Sequence, residues 1–111
     1  MALLRQLIRS ATSVGANTEE AGEAQSDKDE ASKLGIALKE VSESRYWLRL
    51  LRKRVKDQKS IDSLIQETTE LANILKSRIR NLQDGEHQKA NGKGQTEKAD
   101  PEESKQQSVK G

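Results

Sequence analysis

An active site would have to be built from histidine, cysteine, paired carboxylates or hydroxyl nucleophiles, and here these are sparse or badly placed. The single histidine, His87, lies in a polar stretch with no second ligand set beside it, so neither acid–base work near neutral pH nor a metal site follows from it. Cysteine is absent, which removes disulfides, thiolate metal sites and cysteine nucleophiles together and fits a reducing cytoplasm. Carboxylates such as Glu19 and Glu20 are adjacent, but neither sits in an apolar run that would raise its pKa for general acid work. Serines and threonines are plentiful without a histidine base, and there is no glycine-rich phosphate loop. The pattern predicts no catalytic residues, no metal, no cofactor and no small-molecule substrate.

The chemistry the sequence does offer is charge and two aromatics. The net charge of +2 hides a segregation. From Glu19 to Glu30 the chain carries six acids against Lys28 alone, and from Arg45 to Lys59 it carries seven bases against Asp57 alone. Acid near a helix start and base near its finish suits the macrodipole, so part of this is stabilisation. With Arg45 and Arg52 turned inward, Arg49, Lys53, Arg54, Lys56 and Lys59 remain for solvent or for a polyanion such as RNA or DNA, where phosphate contacts add. Tyr46 and Trp47 are the only aromatics, too few for a base-stacking platform but suited to anchor an interface.

These residues must be positioned by helices. In a chain of 111 residues, 34% charged and without Phe, only strict patterning of the aliphatics makes a core possible. Leu34, Leu38, Val41, Arg45, Leu48, Arg52 and Val55 repeat at alternating steps of three and four, which predicts a long central helix over about 27–56 with Ser26 as its N-cap. A second apolar set on it, Ile36, Trp47 and Leu50, is the expected oligomer interface. Before it, Leu4, Leu7, Ala11, Val14, Thr18 and Ala21 predict a helix over about 3–21, bent at Gly15 with Asn17 satisfying freed backbone groups. Gly35 on the central helix is expected to admit a neighbouring backbone. After a short polar connection, Ser60 is the expected cap of a third helix over about 61–83, with Ile61, Leu64, Thr68, Leu71, Leu75, Ile79 and Leu82 inward. So short a connection makes the second and third helices antiparallel, pairing Arg52 with Leu64, Arg45 with Leu71 and Leu38 with Arg78, and bringing Arg45 to Glu67 or Glu70. From Asp84 to Gly111 the pattern stops, with Gly85 as the helix stop, and a disordered polar tail is expected. The fold class is all-α: an antiparallel up-down bundle over residues 1–83. The arginines within the N-terminal apolar segment argue against a signal peptide, and no later run is long enough to span a membrane, so a cytoplasmic protein is expected.

Ser13-Val14-Gly15-Ala16-Asn17 with Glu19-Glu20-Ala21, then Ile36-Ala37-Leu38-Lys39-Glu40, then Arg45-Tyr46-Trp47-Leu48-Arg49-Leu50-Leu51 resemble the bacterial four-helix-bundle proteins encoded within 23S rRNA intervening sequences. The likeness covers Leu3 to about Leu82. It implies an up-down bundle without known catalytic residues, assembled as a homo-oligomer, usually a pentameric ring. Related accessory proteins of diversity-generating retroelements are basic bundles that bind nucleic acid and a reverse transcriptase. Members of the family have a helix before the segment matching Leu3, so three of four helices are expected here, with a groove left uncovered. Thr18 and Ala31 stand where such sequences carry larger apolar groups. Two functions follow: a non-catalytic bundle acting through self-association and interaction, or a basic nucleic-acid-binding or ribonucleoprotein accessory protein.

Overall fold

A computed structural model describes residues 1–92, with side-chain surroundings through Gly85. It consists of three helices, α1 (Ala2–Gly22), α2 (Asp27–Arg52) and α3 (Gln58–Gly92), in an all-α, antiparallel up-down arrangement. The assembly measures 60 × 22 × 17 Å, so the rods lie side by side along one long axis. No helix among the described residues is long and apolar enough to cross a membrane.

The ends of α2 are set by short-range chemistry. Ser26, in an extended conformation, accepts a hydrogen bond from the Asp29 N–H at 3.0 Å, and Asp27, Asp29 and Glu30 place negative charge in the first turn. The helix ends at Arg52, four residues before its expected limit. The turn therefore comes earlier, and Asp57 rather than Ser60 holds the start of α3: its carboxylate accepts from the Ser60 N–H at 3.1 Å and from the Ser60 hydroxyl at 2.6 Å. The α2–α3 pairing is slipped from the expected register, by two to three residues near the turn and further at the far end. Arg52 meets Asp62, Arg45 donates to Thr68 at 3.1 Å instead of reaching Glu67 or Glu70, and Arg78 forks onto Glu30 at 3.0 and 3.2 Å.

α2 is the centre of the molecule. Its seam faces α3 as the three-and-four spacing predicts, with Leu34, Val41 and Leu48 buried. The residues that meet α1 lie about a quarter turn away at 100° per residue: Lys33 pairs with Glu20, Glu40 and Glu43 with Arg9, and Ser44 with Ser10. α1 and α3 each pack on α2, and no Cα of one comes within 8 Å of the other. Three helices thus stand at three corners of a square. The core between them is small-residue rich, with Ala21, Leu34, Ala37, Val41, Ala72, Leu75 and Leu82 in one cluster and Val41 only 1% exposed.

Several expectations are corrected. The side of α1 that faces α2 runs through Leu3, Leu7, Ser10, Val14 and Ala21, whereas Leu4, Ala11 and Thr18 are exposed. A buried hydroxyl pair, Ser10 Oγ to Ser44 Oγ at 2.8 Å, takes the place an aliphatic contact would have had. α1 is unbroken through Gly15; the Asn17 amide donates to the Ser13 carbonyl at 2.9 Å, and no freed group needs it. A methyl placed on Gly15 or on Gly35 would meet nothing within 4 Å, so no neighbouring backbone explains either glycine. On α3, Leu64, Leu71 and Ile74 are exposed, and the buried positions are Ile61, Ala72, Leu75 and Leu82. That helix continues through Gly85 to Gly92: once it is anchored on α2 as far as Leu82, each further residue adds a hydrogen bond without a new nucleation cost. The rest of the expected disordered tail, 93–111, lies outside the described residues.

Candidate interaction surface

The basic block is gathered at one end of the α2–α3 hairpin. Arg49 and Arg52 occupy the last turn of α2, where cations complement the dipole, and Lys53, Arg54 and Lys56 fill the turn. Lys59 sits in the first turn of α3, where a positive charge opposes the dipole, so helix stability does not account for it. Two acids at this end are already engaged. Asp62 is clasped by Arg52, and that hydrogen bond holds its carboxyl below the usual range. Asp57 is likewise held down by the Ser60 hydroxyl and N–H it caps. Arg49, Lys53, Arg54, Lys56 and Lys59 have no ion-pair partner among the described residues. The structure brings these five together; Arg45 is withdrawn onto Thr68.

The three expected interface residues are divided. Trp47 and Leu50 join Leu3 and Gln6 of α1 around an open, mainly apolar cavity of about 580 Å³, with Lys53 and Arg54 on its rim. Ile36 shares their side of α2 but stands three turns away, beyond the ion-paired Glu40 and Glu43. Tyr46 is 54% exposed and meets the Trp47 ring edge-on, centroids 5.1 Å apart. The Trp47 Nε1 is buried without a hydrogen-bond partner of ordinary geometry. It lies near Glu43, whose carboxyl is held low mainly by the Arg9 guanidinium and to a lesser degree by Glu40 and this indole. The cavity and the basic end share Lys53 and Arg54, so an apolar anchor and an anionic group on one partner could be taken side by side.

His87 lies beyond the residues whose side chains are described, and among those that are, no group of three His, Asp or Glu stands close enough to hold a metal ion. Sequence reasoning missed the Ser10–Ser44 contact and the second faces of α1 and α3. The only signal for the former was a pair of serines at helical core spacing, which reads equally well as surface.

A sequence model of the 23S rRNA-intervening sequence protein family matches residues 1–77. The chain belongs to that family. A crystal structure of a protein of unknown function from the S23 ribosomal protein family of Bacteroides thetaiotaomicron is similar to it, with 41% identity, a TM-score of 0.67 and 72% of each chain covered. No curated protein matches. Neither the family description nor this neighbour indicates a catalytic activity, and the matched segment contains all of α1 and α2, the basic turn and the cavity.

Proposed function

We propose that this member of the 23S rRNA-intervening sequence protein family acts by binding and not by catalysis, as a self-associating helical module of the cytoplasm. The observation that carries this reading is the amount of large aliphatic surface left over after the three helices have packed. Leu4, Ile8, Ile36, Leu64, Leu71 and Ile74 are all exposed, Ile74 to 64%, on a chain whose core is built largely from alanine and a few leucines. Exposed aliphatic side chains that recur along helix faces are what helix-to-helix association uses. Trp47 and Leu50, at the open cavity, offer a further anchor point. The test is the solution mass of the full chain. A mass above that of one chain, reduced by Trp47→Ala or by changes to the exposed aliphatics while helicity is kept, supports the reading, and one chain at every concentration overturns it.

A second reading is supported by the five uncompensated cations at the hairpin end: binding of an RNA or DNA phosphate backbone through Arg49, Lys53, Arg54, Lys56 and Lys59. Five charges without an ion-pair partner among the described residues favour a polyanion, and the exposed Tyr46 one turn away could lie against sugar or base. Binding at low salt that weakens when these residues are changed to Glu supports it. No binding at low salt, or binding indifferent to those changes, removes it.

A further inference from the structure

α2 has a side that neither neighbouring helix uses. Counting both ways from Tyr46 in alternating steps of three and four reaches Lys28, Lys39, Arg49 and Lys53, with Ser32, Gly35 and Ser42 between them. At 100° per residue these positions form one stripe, about 130° round the helix from the buried seam of Leu34, Val41 and Leu48, and further still from Ser44, which meets α1. All eight are exposed, and no acid stands among them. The row runs the length of α2, about 38 Å at 1.5 Å per residue, and Arg49 and Lys53 join it to the basic hairpin end. Helix stability does not account for its start, because Lys28 sits in the first turn, where a positive charge opposes the dipole. Neither Lys28 nor Lys39 has an ion-pair partner among the described residues.

We propose that this row is a track for single-stranded nucleic acid, whose phosphates follow the cations and one of whose bases stacks on Tyr46. The proposal rests on the phosphate-binding reading above and extends that site from the hairpin end along α2. Two observations choose a single strand over a duplex. A helix lying in a duplex groove meets a phosphate strand on either side, so its cations belong on both flanks. Here the charge is central and the flanks are apolar or already engaged: Leu38 and Arg45 on one side, Ile36, Glu43 and Leu50 on the other, with Arg45 on Thr68 and Glu43 on Arg9. Tyr46, 54% exposed and braced edge-on by Trp47, presents a ring to an unpaired base, which a duplex keeps within its own stack.

One aromatic is no platform, so the phosphate contacts supply affinity and Tyr46 supplies the preference for an unpaired base. The row also gives Gly35 a reason. Nothing in the chain comes within 4 Å of where its Cβ would be, and without a side chain there the backbone of a strand can approach the helix closely.

Fluorescence anisotropy with labelled single strands, RNA and DNA of one sequence, and with the matching duplex tests this, with circular dichroism alongside to confirm unchanged helicity. At low salt the single strands should bind more tightly than the duplex. Lys28→Gln with Lys39→Gln, distant from the hairpin end, should flatten the single-strand slope of log affinity against log salt by about 1.4. Tyr46→Ala should weaken single-strand binding about tenfold and duplex binding little, and Tyr46→Phe should preserve both. Binding that falls when the hairpin-end cations are changed to Glu but is indifferent to Lys28, Lys39 and Tyr46 overturns the track and leaves the phosphate-binding reading standing. Tighter binding of the duplex overturns the choice of a single strand. No binding of any of these probes at low salt overturns both.

Discussion

If the hairpin end binds a phosphate backbone, the salt dependence of binding should count its charges. Five cations lack an acid partner among the described residues, so up to five phosphates can be neutralised. On duplex DNA this gives a slope of log affinity against log salt of about −4.5, and on a single strand about −3.5. Raising salt fourfold, from ~50 to ~200 mM, should then cost about 500-fold on duplex and roughly a hundredfold on a single strand. Fluorescence anisotropy with a labelled oligonucleotide reads this directly. Lys53→Gln with Arg54→Gln removes two of the five and should bring the duplex slope to about −2.7. Arg52→Gln is the internal control, because Asp62 already balances that guanidinium and the slope should stay nearly unchanged. A slope that does not respond to Lys53 and Arg54, or that falls equally with Arg52, refutes the assignment of the phosphate contacts to these side chains.

Three further outcomes follow from packing and electrostatics. Val41→Ala removes two buried methyl carbons from the middle of the core, costing about 2 kcal/mol with the cavity included, and at matched concentration should lower the melting temperature by roughly 10 °C. Gly35→Ala has open space around it in mid-helix and should stabilise by about 1 kcal/mol in chemical denaturation, a gain that a clash would reverse. Glu43, Asp57 and Asp62 have carboxyls lowered by Arg9, Ser60 and Arg52 respectively. Their contribution is therefore present above the unfolded carboxylate range near pH 4 and lost as pH falls through their folded values, a modest acid destabilisation because all three are solvent-screened. Helicity that rises on acidification would contradict that sign.

Most of the fold was legible because its determinants are local and periodic. The α2 seam from Leu34 to Leu48, the Ser26 cap and the break after Gly22 all follow from spacing and side-chain type, and the structure has them in place. The pairing of α2 with α3 was legible as antiparallel but not in register. Register depends on where the turn closes, and the choice between Asp57 and Ser60 as cap is a contest between two good caps three residues apart, in which Ser60 ends as the donor of two hydrogen bonds to Asp57. On α1 the sequence offers two apolar stripes a quarter turn apart, Leu3, Leu7 and Val14 on one and Leu4 and Ile8 on the other, and α2 covers the first. Hydrophobic size alone does not choose between them; the Ser10–Ser44 pair lies on the covered one. The expected interface set Ile36, Trp47 and Leu50 is spread along α2, with an ion-paired patch around Arg9 between its members, which its spacing alone did not show. The basic end was legible as a charge run, but which of its members are neutralised could be read only once Asp62 and Thr68 had places in space.

Sedimentation equilibrium of the unmodified chain over a range of concentrations tests the central claim most directly. The account predicts a mass that climbs with concentration from 12.4 kDa toward a whole multiple of it. A mass fixed at 12.4 kDa throughout would leave the exposed leucines and isoleucines of α1 and α3 facing water and would contradict it.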